Sequence, residues 1–280
     1  MKLRYKHIAL IRLCRLLGIT SQAYYQHFKH QNSQQTTLKV VLSQVYKIRD
    51  RHPRMGGRKI YRMIQSFLHE HQIKMGRDAF FKLLEINNLL VVRKKRKVFT
   101  TNSQHHFHKY PNLIKQCIPD RVNQLWVSDI TYWKINSGYV YISLITDAYS
   151  RKIIGYHVAK TLEATGTVQA LKMALRTIQT KPISLIHHSD RGLQYCCRQY
   201  TQLLRDSLIQ ISMTENGDPY ENALAERVNG ILKEEYLNEY SVHNLNQAKM
   251  TMDLVVRLYN EERPHMSCGY QTPEIIHSRC

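Results

Sequence analysis

The sequence predicts an α/β chain: a mixed five-stranded sheet with flanking helices, preceded by a basic, all-helical, helix-turn-helix-like region. Three observations support this. Charge is divided unevenly: residues 1–110 hold 23 Lys and Arg against 4 Asp and Glu, and residues 111–280 hold 18 against 17, so nearly all of the net +20 lies in the first part. Apolar periodicity changes near residue 124 from three- and four-residue steps to strand-like runs. Three acids, Asp129, Asp190 and Glu226, stand in or beside apolar segments, where an unpaired carboxylate is costly.

The basic part divides into three segments. Residues 1–35 read as a helix-turn-helix-like segment: Ile8, Leu10, Ile11, Leu13, Leu16 and Leu17 make a helical face, Gly18 breaks it, and Thr20 or Ser21 caps a second helix with Tyr24 and Tyr25. This pattern suits a small DNA-binding unit and a structural hairpin equally. Residues 36–97 read as a basic helical DNA-binding domain. Leu38, Val41, Leu42, Val45 and Ile48 form one helix, Pro53, Gly56 and Gly57 stop it, a further helix runs from Arg58 to His71, and Asp78 caps another through Ile86. The run Arg93, Lys94, Lys95, Arg96 and Lys97 leaves that helix as a cationic arm suited to phosphates. Residues 98–116 are polar and aperiodic, as expected of a linker.

From residue 117 to 240 an α/β core is expected, with residues 241–280 as a C-terminal helix and tail packing on it. Strands are expected at 124–134, 139–147, 152–158, 183–187 and 209–213, the first two joined by a turn at Asn136-Ser137-Gly138. Helices are expected at 167–178, 195–208 and 222–237. Three antiparallel strands followed by alternating helices and strands give a mixed sheet with helices on its faces. Asp129 falls in mid-strand, Asp190 at a strand's carboxyl end, and Glu226 on a helix announced by Asp218-Pro219-Tyr220-Glu221. Lys233, two turns after Glu226, points the same way and can contact phosphate.

A continuous apolar run of about 18 residues, long enough to cross a bilayer, does not occur, and the first residues, Met-Lys-Leu-Arg-Tyr-Lys-His, lack the apolar stretch of a secretory signal. The six cysteines form no Cys-x-x-Cys pair, and the expected setting is a reducing cytoplasm, beside the nucleoid. The phosphate-binding loop of nucleotide hydrolases is absent. Two or three carboxylates around hard cations suit magnesium, and a pair of such ions serves in-line phosphoryl displacement.

Trp126-Val-Ser-Asp129-Ile-Thr-Tyr132, His188-Ser-Asp190-Arg-Gly192-Leu-Gln194-Tyr195 and Asn222-Ala-Leu-Ala-Glu226 through Leu232-Lys233-Glu234-Glu235 resemble the catalytic core of insertion-sequence-three-type bacterial transposases, within the retroviral integrase superfamily. The tail Tyr259-Asn-Glu-Glu-Arg263-Pro264-His265 and the upstream Gly56-Gly57-Arg58-Lys59-Ile60 are similar to further segments of that family. The resemblance implies a ribonuclease H-like fold and an enzyme that cleaves transposon ends and transfers the strands into target DNA. It also implies Asp129, Asp190 and Glu226 as ligands of two Mg2+ (or Mn2+) ions, and Lys233 at the transposon end. Arg58, Lys59 and the run 93–97 are expected to grip DNA. The expected partners are double-stranded DNA and further copies of the chain, with an upstream helix-turn-helix product either separate or fused by frameshifting. A non-catalytic DNA-binding regulator and a structure-selective nuclease of the same fold are the alternative readings.

Overall fold

The computed structural model describes residues 7–92, 108–115, 117–178, 184–215 and 222–279. They form two compact units: the described residues up to Asp50 with Met63–Leu90, and Arg51–Arg62 with the described residues from Val91 onward.

The first unit holds α1 (Leu10–Leu16), most of α2 (Ser21–Arg51), α4 (Gln65–Glu70) and α5 (Arg77–Ile86). Gly18, at φ +66°, makes the turn before α2, a conformation that favours glycine. No Gly or Pro occurs between Ser21 and Arg51, and α2 runs unbroken for 31 residues. The boundary expected at residues 35–36 therefore falls inside a helix. Val41, Val45 and Ile48 of α2 and Phe80, Leu83 and Leu84 of α5 are buried, as their spacing predicts. Arg49 ties the two ends of this sequence stretch by donating to the Leu89 carbonyl at 2.9 Å. Asp78 is not the cap of α5. That place belongs to Gly76, and Asp78 sits exposed in the first turn beside Arg77, where its charge faces the helix's positive end.

The larger unit is built on a five-stranded sheet of order β3-β2-β1-β4-β5. Strand β1 (Leu125–Ile135) and β2 (Gly138–Asp147) form a hairpin closed by Asn136 and Ser137, with Gly138 at φ +120°. Strand β3 (Ile153–Ala159) lies antiparallel to β2, while β4 (Ile186–Ser189) runs parallel to β1 and β5 (Gln210–Met213) parallel to β4. One face packs α6 (Ala164–Leu175) over Trp126, Ile145 and Ile154. The helix comes so close that a Cβ at Gly155 would lie 2.3 Å from the Ala170 carbonyl oxygen. The other face packs α9 (Ala223–Glu235) and α10 (Leu245–Arg257) over Trp133, Val140, Ile142 and Leu144.

Further expectations meet the structure as follows. The helix expected at 195–208 is two, α7 (Leu193–Cys196) and α8 (Arg198–Asp206), because Cys197 is extended. Asp218, Pro219 and Glu221 lie outside the described residues. Helix α9 begins after Asn222, which makes no cap bond and instead donates to the Ser128 carbonyl at 3.0 Å. Of the expected linker 98–116, the stretch through 108–115 runs against β5: Met213 N donates to the Pro111 carbonyl and Leu113 N to Ser212 Oγ, which covers the sheet edge. Residues 51–62, expected within the basic domain, fold with the sheet; they carry α3 (Gly57–Met63) up to Arg62.

Candidate active site

Strands β1 and β4 pair only over Leu125–Val127, opposite Ile186–His188. Beyond that they part. Extending the register by two residues places Asp190 opposite Asp129, so the two aspartates flank the point where the strands diverge. Neighbouring strands lie about 4.8 Å apart, close enough for the two charges to repel. Ligands of open α/β sheets collect in such crevices at strand carboxyl ends.

The buried histidines before Asp190 hold this floor. His187 Nε2 lies 2.7 Å from Ser128 Oγ and 2.8 Å from the Tyr200 hydroxyl, and His188 Nδ1 lies 2.8 Å from Ser212 Oγ. Burial pushes His187 down to about 3, so it is a neutral hydrogen-bonding group that ties β4 to β1. Past Asp190 the chain turns tightly. Gly192 N donates to Asp190 Oδ1 at 3.0 Å, and a Cβ at Gly192 would crowd that oxygen.

Helix α9 lies along β1 and contributes one residue per turn to the site. Asn222, Glu226, Asn229 and Lys233 recur at four-, three- and four-residue steps and share a face. Asn229 Nδ2 donates to Asp129 Oδ2 at 2.7 Å, and Lys233 Nζ reaches Thr131 Oγ1 at 3.3 Å and lies 4.1 Å from the centre of the Tyr132 ring. Glu226 is exposed, between these anchors.

Asp129 is an acid held well above the usual carboxylate range. Burial raises its pKa, the charge of Asp190 raises it further, and the bond from Asn229 and the Ile130 amide oppose both; Glu226 adds a smaller upward push, and the result is about 7. Asp129 and Asp190 are thus brought together, and Glu226 lies near enough to be felt. Among the described residues no three acidic, histidine or cysteine side chains already form a finished cation cage. The donor set itself fits a hard divalent cation: two opposed aspartates, a glutamate on the covering helix, and a buried Asn229 Oδ1 that has no hydrogen-bond partner among the described residues.

The expected DNA-gripping residues fare differently. Arg93, Lys94, Lys95, Arg96 and Lys97 lie outside the described residues. Arg58 is exposed on α3. Lys59 is not displayed to solvent: its ammonium lies 2.9 Å from Glu235 Oε1, with 15% of its side chain exposed. Glu235 also takes a forked pair from Arg263, at 2.8 Å from Nε and 2.7 Å from Nη2, and Arg263 Nη1 lies 2.9 Å from His265 Nε2. Burial and the neighbouring Arg263 push His265 down to about 2, leaving it neutral beside the guanidinium. The Gly56–Ile60 segment, the end of α9 and the Arg263–His265 tail, three separate stretches of sequence, therefore meet in one buried ionic clamp. Sequence reasoning singled out all three without linking them. Asn229, Thr131 and Tyr132 were also unassigned, although Asn229 stands one helical turn from Glu226.

Integrase core models and transposase relatives place the chain among the polynucleotidyl transferases of the integrase type. Residues 119–219 match the model of an integrase core domain and residues 207–273 a second integrase core domain model. The chain is 34% identical over 265 residues to the insertion element IS600 uncharacterized 31 kDa protein of Shigella sonnei, covering 93% of this chain and 96% of that one. It is 30% identical over 270 residues to the transposase for insertion sequence element IS629 of the same species, covering 93% and 88%. A simian T-cell lymphotropic virus intasome aligns over 76% of this chain and 70% of its own at 18% identity, with a TM-score of 0.48. The chain belongs to the IS3-type bacterial insertion-sequence transposases of the retroviral integrase superfamily.

Proposed function

We propose that this transposase cleaves the ends of its element and joins them to target DNA with Asp129, Asp190 and Glu226 as the ligands of two Mg2+ or Mn2+ ions. The observation that carries this is the Asp129 carboxyl, held against Asp190 with its pKa raised to about 7 first by burial and then by that neighbour. Two repelling acids in a partly dry crevice favour the arrival of positive charge. Held by Asp129, Asp190 and Glu226, such ions would supply the activation of a water or a 3′-hydroxyl and the stabilisation of the leaving oxygen. The chain's own residues orient the site: Asn229 fixes the rotamer of Asp129, Gly192 N fixes Asp190, and Lys233 supplies a cation for a phosphate beside the scissile one.

The DNA-bound form is a dimer or larger assembly, acting alone or with an upstream helix-turn-helix product, since two ends must be brought together. Arg58 and the run 93–97 bind phosphate; Lys59 belongs to the clamp. Asp129→Asn is expected to lower cleavage and joining of end-containing oligonucleotides in Mg2+ by about 10³-fold or more while leaving DNA affinity nearly unchanged. Cleavage that survives the substitution overturns the assignment. Nicked products without joined ones would instead favour a nuclease. Affinity should fall steeply with salt, as counterion release requires.

A further inference from the structure

Strand β1 is open on one side beyond Val127, since among the described residues no strand pairs there. The two faces of this open edge differ. Asp129 and Thr131 face α9, as their bonds to Asn229 and Lys233 show. Tyr132, one residue on, faces the opposite side of the sheet. In the β1–β2 register Tyr132 is opposite Tyr141 and Lys134 opposite Tyr139, so Tyr139 is the diagonal neighbour of Tyr132 on that face. Their rings meet edge to face, with centroids 5.8 Å apart and planes at 74°. Tyr139 is 55% exposed and Tyr132 37%. Lys233 crosses the edge and joins the two sides, touching Thr131 on one and the Tyr132 ring on the other.

The edge therefore carries a carboxylate, then an ammonium seated on Tyr132, then the more exposed ring of Tyr139. Three residues of strand separate Asp129 from Tyr132, about 10 Å, the reach from a phosphate to a nearby base. A base inside a duplex has no free face for a protein ring, whereas an unpaired base stacks on any aromatic surface without regard to sequence. We infer that Tyr139, with Tyr132 behind it, is a stacking ledge for an unpaired nucleobase at the DNA end whose phosphate lies on Lys233. The ledge rests on the transposase reading above, and assigns it a further binding site: the chain holds its substrate with the terminal pair opened.

The test uses the full chain carrying Asp129→Asn, without divalent metal, and two end duplexes of equal length. One has an unpaired terminal 2-aminopurine and the other is fully paired. Tighter binding of the unpaired end with quenched fluorescence is expected. Tyr139→Ala should remove roughly 5- to 10-fold of that affinity and relieve the quenching, Tyr139→Trp should restore both, and affinity for the paired duplex should not change. If Tyr139→Ala leaves affinity and quenching as they were, or Tyr139→Trp fails where Tyr139→Ala does, the ledge is wrong. Cleavage of the paired duplex by the chain with Asp129 intact is scored separately. Normal cleavage with no stacking signal overturns only the ledge, whereas absence of both binding and cleavage overturns it together with the transposase reading.

Discussion

Helix α9 has a buried carboxylate site near each end, and the two titrate in opposite directions. On the strand beneath its first turns, Asp129 faces Asp190 and has only two neutral donors, the Asn229 amide and the Ile130 N–H, to offset it; its pKa rises to about 7. At its last residue, Glu235 feels the same upward push of burial, but the bonds and charge of Arg263, with Lys59 behind them, more than reverse it, and its pKa falls. Lys59 is itself pushed down by burial and by Arg263, so the guanidinium is the main partner and the ammonium the lesser one. Burial alone thus says little about what an acid is for. The clamp carries its compensating cations in the chain, which suits a structural joint. At the strand divergence Asp129 has a second acid, Asp190, as the largest charge acting on it, and its proton is held accordingly.

Removing the cation from the clamp is the most severe way to break this contrast. Arg263→Ala leaves Glu235 buried with only Lys59, and is expected to cost about 3–5 kcal/mol, read as a drop in denaturant midpoint. A loss under 1 kcal/mol would mean that Glu235 has other compensation.

The opposite sign is expected at the other site. Because the folded pKa of Asp129 is raised, the folded state keeps its proton where the unfolded chain has lost it. The acid therefore withdraws stability progressively as pH rises from its ordinary 3.8 to about 7. At pH 8 without metal, Asp129→Asn should stabilise the protein by a few kcal/mol, up to about 4 on the scale of 1.36 kcal/mol for each pKa unit, and the gain should vanish near pH 4. A Tm difference independent of pH would contradict the assigned shift. Glu235, with a lowered pKa, behaves inversely: its stabilisation is present above its ordinary value and is lost as pH falls through the folded one.

Two smaller effects sharpen the comparison. Asn229→Ala removes the amide that opposes the upward push on Asp129, so the Asp129 pKa, followed by NMR without metal, should rise further. An unchanged value would mean that the bond does not act on the ionised form. Lys59→Gln should lower stability by about 1 kcal/mol with no change in the salt slope of DNA binding, whereas Arg58→Gln should lower that slope by nearly one counterion. A reduced slope in Lys59→Gln would return Lys59 to the DNA-gripping set.

The amino-acid sequence alone determined the order and kind of the sheet's elements, because periods of 2 and 3.6 are local properties of each segment. It also separated the charged halves and marked Asp129, Asp190 and Glu226 by their company. Tertiary structure decided which acids lie beside like charge and which beside donors and cations. Asp147, at the end of a strand as apolar as that of Asp129, is fully buried, yet it takes Asn123 N, Ser150 N and Ser150 Oγ at 2.8 Å each and simply pins the β2–β3 turn. Lys59 and Arg58 are adjacent and equally basic in sequence, but only the fold shows one facing solvent and the other facing Glu235, 176 residues away. The physical reason is the same in both cases. The state of a buried charge is set by the nearest opposite charges and donors, and these come from segments whose distance along the chain bears no relation to their distance in space.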